Sequence, residues 1–110
     1  MLVKDIAERK EFKSVTGETG FERAVTAGFV GDLLSVVMGK AKEGSVWTTI
    51  QGHMNIVAVA TLVGIPCVIV SEAFEVEEDT INKAIEEDIC ILTTDLSSYD
   101  TVSILKDMGI

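Results

Sequence analysis

The spacing of apolar and polar positions changes several times along the chain, and each change marks the boundary of a predicted element. Residues 45–50 are rich in β-branched and aromatic side chains, which strands favour. Residues 54–63 are apolar on every face and therefore predict a buried helix. Gly52 interrupts the pattern between them, and His53 or Asn55 stands where the start of a helix uses a capping side chain. The pattern predicts a strand, a tight loop and a helix.

Four elements are predicted before this strand. They are a short amphipathic helix over residues 2–10, a strand over 12–15, extended chain over 21–30, and a helix over 32–40. Asp32 is well placed to cap the last of these helices, and Gly44 closes it. The basic side chains of Lys40 and Lys42 suit the negative end of its dipole.

Further elements follow the buried helix. Residues 67–70 form a continuous apolar run of the kind found in sheets that are covered on both faces. Four acidic residues then precede a helical pattern over residues 81–85, and acids are favoured in the first turn of a helix by its dipole; the alternative for them is a metal or basic-partner site. A short strand over 89–92 and a closing helix that begins at Thr94 or Asp95 complete the chain. The four acids are Glu75, Glu77, Glu78 and Asp79.

From residue 32 onward helices and strands alternate, which predicts an α/β fold with a mainly parallel sheet and helices on both faces. We expect this three-layer arrangement to form one domain over residues 1–110, with the strand at 46–50 in the centre of the sheet. The two N-terminal strands either extend that sheet or form a small flap.

The charge of the chain restricts its partners. Its formal net charge is −9, and residues 43–110 carry 12 acidic and 2 basic side chains. Duplex nucleic acid and anionic membranes repel such a surface, so neither is expected as a partner. Cys67 and Cys90 lie in apolar runs, without a nearby histidine or a CxxC spacing, and are expected to be reduced core residues rather than metal ligands. With no targeting or membrane segment in the sequence, the expected location is the cytoplasm.

Two segments, ERAVTAGFVGDLLS at 22–35 and WTTIQGHMNIVAVA at 47–60, resemble the DRTGG domain family, and the resemblance covers nearly the whole chain. This family is similar to the N-terminal domain of HPr kinase/phosphorylase. Its members occur alone or joined to CBS-domain modules, inorganic pyrophosphatases or phosphotransacetylases. The resemblance implies an accessory or regulatory α/β module with no established catalysis of its own. Two positions depart from the family pattern, because Glu22 replaces Asp and Ala27 replaces Gly.

A ligand site is expected where the strands end, because loops diverge beyond the carboxyl ends of parallel strands and helix N-termini point into that crevice. The expected ligand-binding residues are Arg23, Thr49, Gln51, Gly52, His53, Asn55 and Thr94, with Ser71, Glu72, Thr93 and Asp95 nearby. Hydroxyl and amide groups predominate, so the site suits reversible binding of a small polar or anionic ligand.

Two of these residues have alternative roles. Arg23 either holds a ligand's phosphate or carboxylate, or belongs with Glu22 to a structural ion pair with the loop backbone. His53, the one histidine of the chain, either orients the loop or transfers protons.

Two function classes follow. The first is a stand-alone, non-catalytic regulatory module, because the phosphate-loop, GxGxxG and GxSxG motifs are absent and no catalytic residue, metal site or cofactor is identified. The alternative is a small enzyme of acyl or phosphoryl transfer that uses the loop from Thr49 to Asn55. A homodimer is also expected, since the helix at 32–40 has apolar residues at five of six consecutive positions, more than one sheet face covers. These residues could instead pack under the N-terminal helix.

Overall fold

The computed structural model describes residues 1–110 as five helices and five strands. The helices are α1 (Val3–Ala7), α2 (Leu34–Lys40), α3 (Asn55–Val63), α4 (Glu78–Glu86) and α5 (Ser98–Asp107). The strands are β1 (Lys13–Ser14), β2 (Ala27–Val30), β3 (Ser45–Thr49), β4 (Cys67–Val70) and β5 (Cys90–Thr93). None of the helices is both long and apolar enough to cross a membrane.

All five strands form one sheet in the order β1-β5-β4-β3-β2. Strands β2 to β5 pair in parallel, and only β1 runs antiparallel, beside β5. The predicted mainly parallel sheet is therefore confirmed. The two N-terminal strands do not form a flap, because each extends the sheet at one of its opposite edges.

The centre of the sheet is β4, so the prediction that the strand at 46–50 is central is wrong. Strand β3 is an interior strand between β2 and β4, and all five of its residues are buried. The apolar run of β4 is the part of the sequence that carried this information, since a central strand has both faces and both edges covered.

Each face of the sheet has its own hydrophobic core. One cluster joins Val37 of α2, four residues of α3 and Ala84 of α4 to the sheet. The other joins Val3 and Ile6 of α1 and Leu105 of α5 to the opposite face. The fold is therefore a three-layer α/β arrangement with helices on both faces, as the sequence predicts.

Trp47 and the two cysteines belong to these cores. Trp47 is fully buried in the first cluster, and its indole Nε1 donates to the carbonyl of Gly31 at 2.9 Å. Cys67 and Cys90 are buried, unbridged register partners on β4 and β5. A hydrogen bond to the Cys90 thiol and burial raise the pKa of Cys67 well above its usual value. Both cysteines are core residues, as expected.

The predicted N-terminal caps of α2 and α3 are wrong. Helix α2 begins at Leu34, and the Asp32 carboxylate instead accepts hydrogen bonds from the Thr49 hydroxyl and the Ile50 amide, each at 2.9 Å. These two bonds are possible because the parallel strands β2 and β3 end side by side. Neither His53 nor Asn55 caps α3, which has Met54 at its N-cap.

The start of the closing helix was also predicted too early. Helix α5 begins at Ser98, and the Ser97 side chain caps it by accepting a hydrogen bond from the Asp100 amide at 3.0 Å. The Thr94 hydroxyl instead accepts from the Leu96 amide at 3.2 Å, which folds the residues after β5 into a turn before the helix.

Candidate functional site

The loops after β3, β4 and β5 meet at the side of the sheet formed by the carboxyl ends of the strands, which we call the carboxyl edge, because these strands are parallel. Backbone hydrogen bonds join them. The Ser71 amide donates to the Thr49 carbonyl at 2.9 Å, and the Ala73 amide donates to the Thr94 carbonyl at 3.1 Å. The Glu72 amide donates to the Leu96 carbonyl at 2.7 Å. The three loops therefore form one connected surface.

Gly52 is the point where the loop after β3 meets the segment that enters α4. Its carbonyl accepts hydrogen bonds from the Glu77 amide at 3.1 Å and the Thr80 hydroxyl at 2.9 Å. A Cβ on Gly52 would lie 2.0 Å from the carbonyl oxygen of Glu75. Gly52 has no positive φ, so glycine is required here by the close approach of two backbones and not by backbone freedom.

A groove opens beside this contact, and we call it the carboxyl-edge groove. Its volume is about 440 Å³. Phe74 is 51% exposed and offers an aromatic face to it. The groove is lined by Ile50, Gln51, Gly52, His53, Phe74, Glu75 and Glu77.

His53 is held in this groove by a carboxylate. Its ring Nδ1 forms a short hydrogen bond with the Glu77 carboxylate, which lies immediately before α4. Both side chains are more than half exposed. This contact fits the loop-orienting alternative for His53, whose ring makes no hydrogen bond to a hydroxyl or thiol of the chain.

The segment that presents Phe74 is strained. Glu72 and Ala73 have φ values of 63° and 60°, in the left-handed region that side chains other than glycine rarely adopt. The Glu72 carboxylate accepts a hydrogen bond from the Ser98 amide at 2.8 Å, which fixes the segment to the start of α5. Such strain costs about 1–3 kcal/mol per residue and persists mainly at functional sites.

A second groove lies on the other side of the Phe74–Glu75 segment. Its volume is about 320 Å³, and its lining includes Val15, Ala73, Thr93 and Thr94 as well as Phe74 and Glu75. Thr94 is 6% exposed. The predicted residues at the ends of β3 and β5 therefore line two neighbouring grooves that share one wall.

The structure separates the remaining predicted residues. Gln51, Gly52 and His53 line the carboxyl-edge groove. The side-chain amide of Gln51 donates to the Asp32 carbonyl at 3.0 Å. Thr49 is 1% exposed and is outside the groove lining. Its hydroxyl donates to the Asp32 carboxylate and so stabilises the start of the loop. Asn55 is exposed at the start of α3 and is outside the lining of either groove.

Arg23 lies at the amino-terminal ends of the parallel strands, opposite to the site, so the expectation that it folds over the site is wrong. Its guanidinium donates to the carbonyl of Asp88 at 2.8 Å, just before β5 begins. The Asp88 carboxylate in turn accepts from the Gly20 amide at 3.1 Å. Glu22 pairs with Lys4, at 3.3 Å, and not with Arg23. Arg23 therefore holds loop backbone, the structural alternative, though without Glu22.

Sequence reasoning missed four residues of the groove, namely Ile50, Phe74, Glu75 and Glu77. Only Glu78 and Asp79 lie in the first turn of α4, as the dipole argument predicts. The available signal was an aromatic residue between acids directly after a buried parallel strand. No three His, Cys, Asp or Glu side chains are grouped to hold a metal ion.

Comparison with known proteins is informative at the level of the fold. No protein-family model matches the chain. No curated protein matches it. The fold is similar to a crystal structure of the CBS and DRTGG domains of the regulatory region of Clostridium perfringens pyrophosphatase, complexed with its activator diadenosine tetraphosphate.

That similarity has a TM-score of 0.75 at 15% sequence identity. It covers 93% of this chain and 44% of the pyrophosphatase chain, so this chain spans less than half of that length. At this identity the likeness establishes the fold alone. The chain has a DRTGG-like fold, as the resemblance of its sequence predicts.

Proposed function

We propose that this chain is a non-catalytic regulatory module that binds a small polar ligand in the carboxyl-edge groove. The observation that carries the proposal is the groove itself, in which amide and imidazole groups of the loop after β3 face an exposed aromatic ring and a carboxylate that follow the strained residues Glu72 and Ala73. We further propose that the module acts in the cytoplasm, in keeping with its two buried, unbridged cysteines.

The groove favours a neutral ligand with hydrogen-bond donors over an anion. Glu75 and Glu77 both line it, and the chain carries a net charge of −9, so an anionic group would meet like charge. Carboxylates accept hydrogen bonds from amino and hydroxyl groups. The exposed ring of Phe74 can stack on a planar heterocycle. A nucleoside has both features.

The similar pyrophosphatase region supports this choice of ligand. Its activator, diadenosine tetraphosphate, contains two adenosine groups. We propose that the present groove takes adenosine without the phosphates, with the base on Phe74 and the ribose hydroxyls toward the carboxylates.

Adenosine binding measured by isothermal titration calorimetry tests the proposal. Phe74→Ala is expected to weaken binding by about tenfold or more, because base stacking on an aromatic side chain contributes roughly 1–3 kcal/mol. Gln51→Ala is expected to weaken binding about fivefold, through the loss of its contacts to the ligand and to the Asp32 carbonyl.

Asn55→Ala is the matched control for Gln51→Ala. It removes the same kind of amide four residues away, at an exposed position outside the groove, and is expected to leave the affinity unchanged. The proposal is wrong if adenosine does not bind the parent protein, or if Phe74→Ala and Gln51→Ala both bind it as tightly as the parent.

The His53–Glu77 pair is the observation that favours the alternative, a small acyl or phosphoryl transferase. A hydrogen-bonded carboxylate orients the imidazole of many general bases. The hydroxyl available in the same loop is that of Thr49, which is buried and donates to Asp32. We therefore prefer the regulatory module. His53→Ala separates the two functions, because it would abolish the activity of an enzyme but leave the role of a binding module in the cell largely intact.

We also propose a homodimer formed through the outer face of α2 and α3, which we call the α2–α3 face. Its exposed apolar residues are Leu33, Val36, Met38, Met54 and Leu62. Helix α1 packs on the opposite face of the sheet and leaves them uncovered. Residues 33–42 contain two lysines and no acidic side chain, so on this part of the surface two copies of an acidic chain can meet without repulsion between carboxylates.

Light scattering at tens of micromolar protein, an ordinary range for dimers, tests the homodimer. The parent is expected to have the mass of two chains, and Leu33→Glu the mass of one, because a carboxylate would be buried in the interface. Tyr99→Glu on α5 is the control, since Tyr99 is also exposed but lies on the opposite face. A monomeric parent would remove the proposal.

A further inference from the structure

A separate pocket lies on the face of the sheet that α5 covers, between the edge strand β2 and helix α5. Its volume is about 180 Å³. Its walls are mainly apolar and include Val30, Val102, Leu105 and Ile110. Helix α5 packs on the face opposite to α2, α3 and α4, so this β2–α5 pocket shares no lining residue with the carboxyl-edge groove.

One residue in the lining of this pocket has a buried polar atom without a partner. Thr48 lines the pocket and is fully buried, yet its hydroxyl forms no hydrogen bond with any group of the chain. The other buried hydroxyls behave differently. For example, those of Thr49 and Thr80 donate to Asp32 and to the Gly52 carbonyl. An unpaired buried hydroxyl is costly, so a chain that keeps one beside a pocket points to a ligand that pairs with it.

We propose that the β2–α5 pocket is a second binding site, for a small, neutral and mainly apolar molecule that carries one hydroxyl group. The volume suits a molecule with a single ring, since an apolar cavity of about 150 Å³ accepts benzene. The Thr48 hydroxyl can donate one hydrogen bond and accept others, so it matches a ligand hydroxyl in either direction.

The charge around the pocket favours a neutral ligand. Lys106 is the one cation in the lining, and the acidic Asp107 follows it directly. The chain as a whole carries a net charge of −9. An anion would therefore gain little from a single exposed lysine, because its ammonium group is solvated and the net charge of the chain opposes an anion.

Phenol and toluene form a matched pair of probes, because each has one ring and one small substituent and only phenol has a hydroxyl. In amide NMR titrations of the full chain we expect both to shift signals of residues that line the β2–α5 pocket. Phenol is expected to bind about tenfold more tightly than toluene, as a hydrogen bond to an otherwise unpaired buried group allows.

Thr48→Val replaces the hydroxyl by a methyl group of similar size. This variant is expected to be at least as stable as the parent and to bind phenol no more tightly than toluene. Val102→Phe, which places a larger side chain at the pocket wall, is expected to abolish binding of both probes and serves if Thr48→Val does not fold.

Three results would overturn the site. The first is the absence of saturable shifts at the pocket with either probe. The second is a preference for phenol that Thr48→Val or Val102→Phe leaves unchanged. The third is tighter binding of benzoate than of phenol, which would assign the pocket to anions. None of these results bears on adenosine binding in the carboxyl-edge groove, which involves different residues.

Discussion

Replacing Gly52 by alanine is expected to lower the free energy of unfolding by about 3 kcal/mol, the upper range for overpacking a well-packed site. The new Cβ would lie 2.0 Å from the Glu75 carbonyl oxygen. Backbone cannot move aside as a flexible side chain does, so the loop after β3 must separate from the segment that enters α4. That movement also breaks the hydrogen bonds that the Gly52 carbonyl accepts from Glu77 and Thr80.

Urea denaturation followed by circular dichroism measures this loss, and Gly39→Ala is the control. Gly39 lies in α2, and a Cβ there would have no neighbour within 4 Å. Alanine at this position is expected to raise the free energy of unfolding by about 0.5–1 kcal/mol through helix propensity. If Gly52→Ala were as stable as the parent, the close contact between the two loops would not exist in solution.

Replacing Trp47 by alanine is expected to cost about 4 kcal/mol, within the range for large aromatic core residues. Trp47 is fully buried against helices on one face of the sheet. Its loss leaves a cavity, and the Gly31 carbonyl loses the indole donor that fixes the end of β2. Urea denaturation followed by circular dichroism measures the effect without depending on the tryptophan signal.

Trp47→Phe separates the two contributions. It keeps most of the apolar volume and removes the hydrogen bond to Gly31, so a loss of about 2 kcal/mol is expected. A cost below about 1 kcal/mol for Trp47→Ala would contradict the burial of this side chain between the sheet and the helices.

The sequence predicts most elements of the fold because the signals for them are local. The apolar run of β4 and the mainly apolar helix α3 identify themselves within a few residues. The prediction that α3 is buried on every face is wrong, because Ala58, Thr61 and Leu62 are exposed. The order of strands does not, since it depends on contacts between distant parts of the chain. Strands β1 and β2 are consecutive in sequence and lie at opposite edges of the sheet, and no local pattern encodes that separation.

Asp32 shows the same limit at the level of one side chain. An acid before a helical pattern predicts a cap, and only the parallel pairing of β2 with β3 reveals that its carboxylate bonds Thr49 and the Ile50 amide. A cross-strand partner is available here because the two strands end together. Tertiary structure therefore overrides the local preference for capping.

The candidate site was partly predictable for the same reason. The general rule that loops meet at the carboxyl ends of parallel strands identifies Gln51, Gly52 and His53. It does not reveal Phe74, whose position depends on two consecutive residues with positive φ that are neither glycine nor asparagine. Nor does it place Arg23, because the course of the loop before β2 is set by its contact with Asp88.

An amide NMR titration with adenosine tests the proposed ligand site most directly. The proposed site predicts saturable shifts at the residues around the carboxyl-edge groove, above all Gly52, His53, Phe74 and Glu75. It also predicts that the backbone amides of Arg23 and Asp88, at the amino-terminal ends of the strands, do not shift. Shifts confined to those ends, or none that saturate, would contradict adenosine binding in the groove.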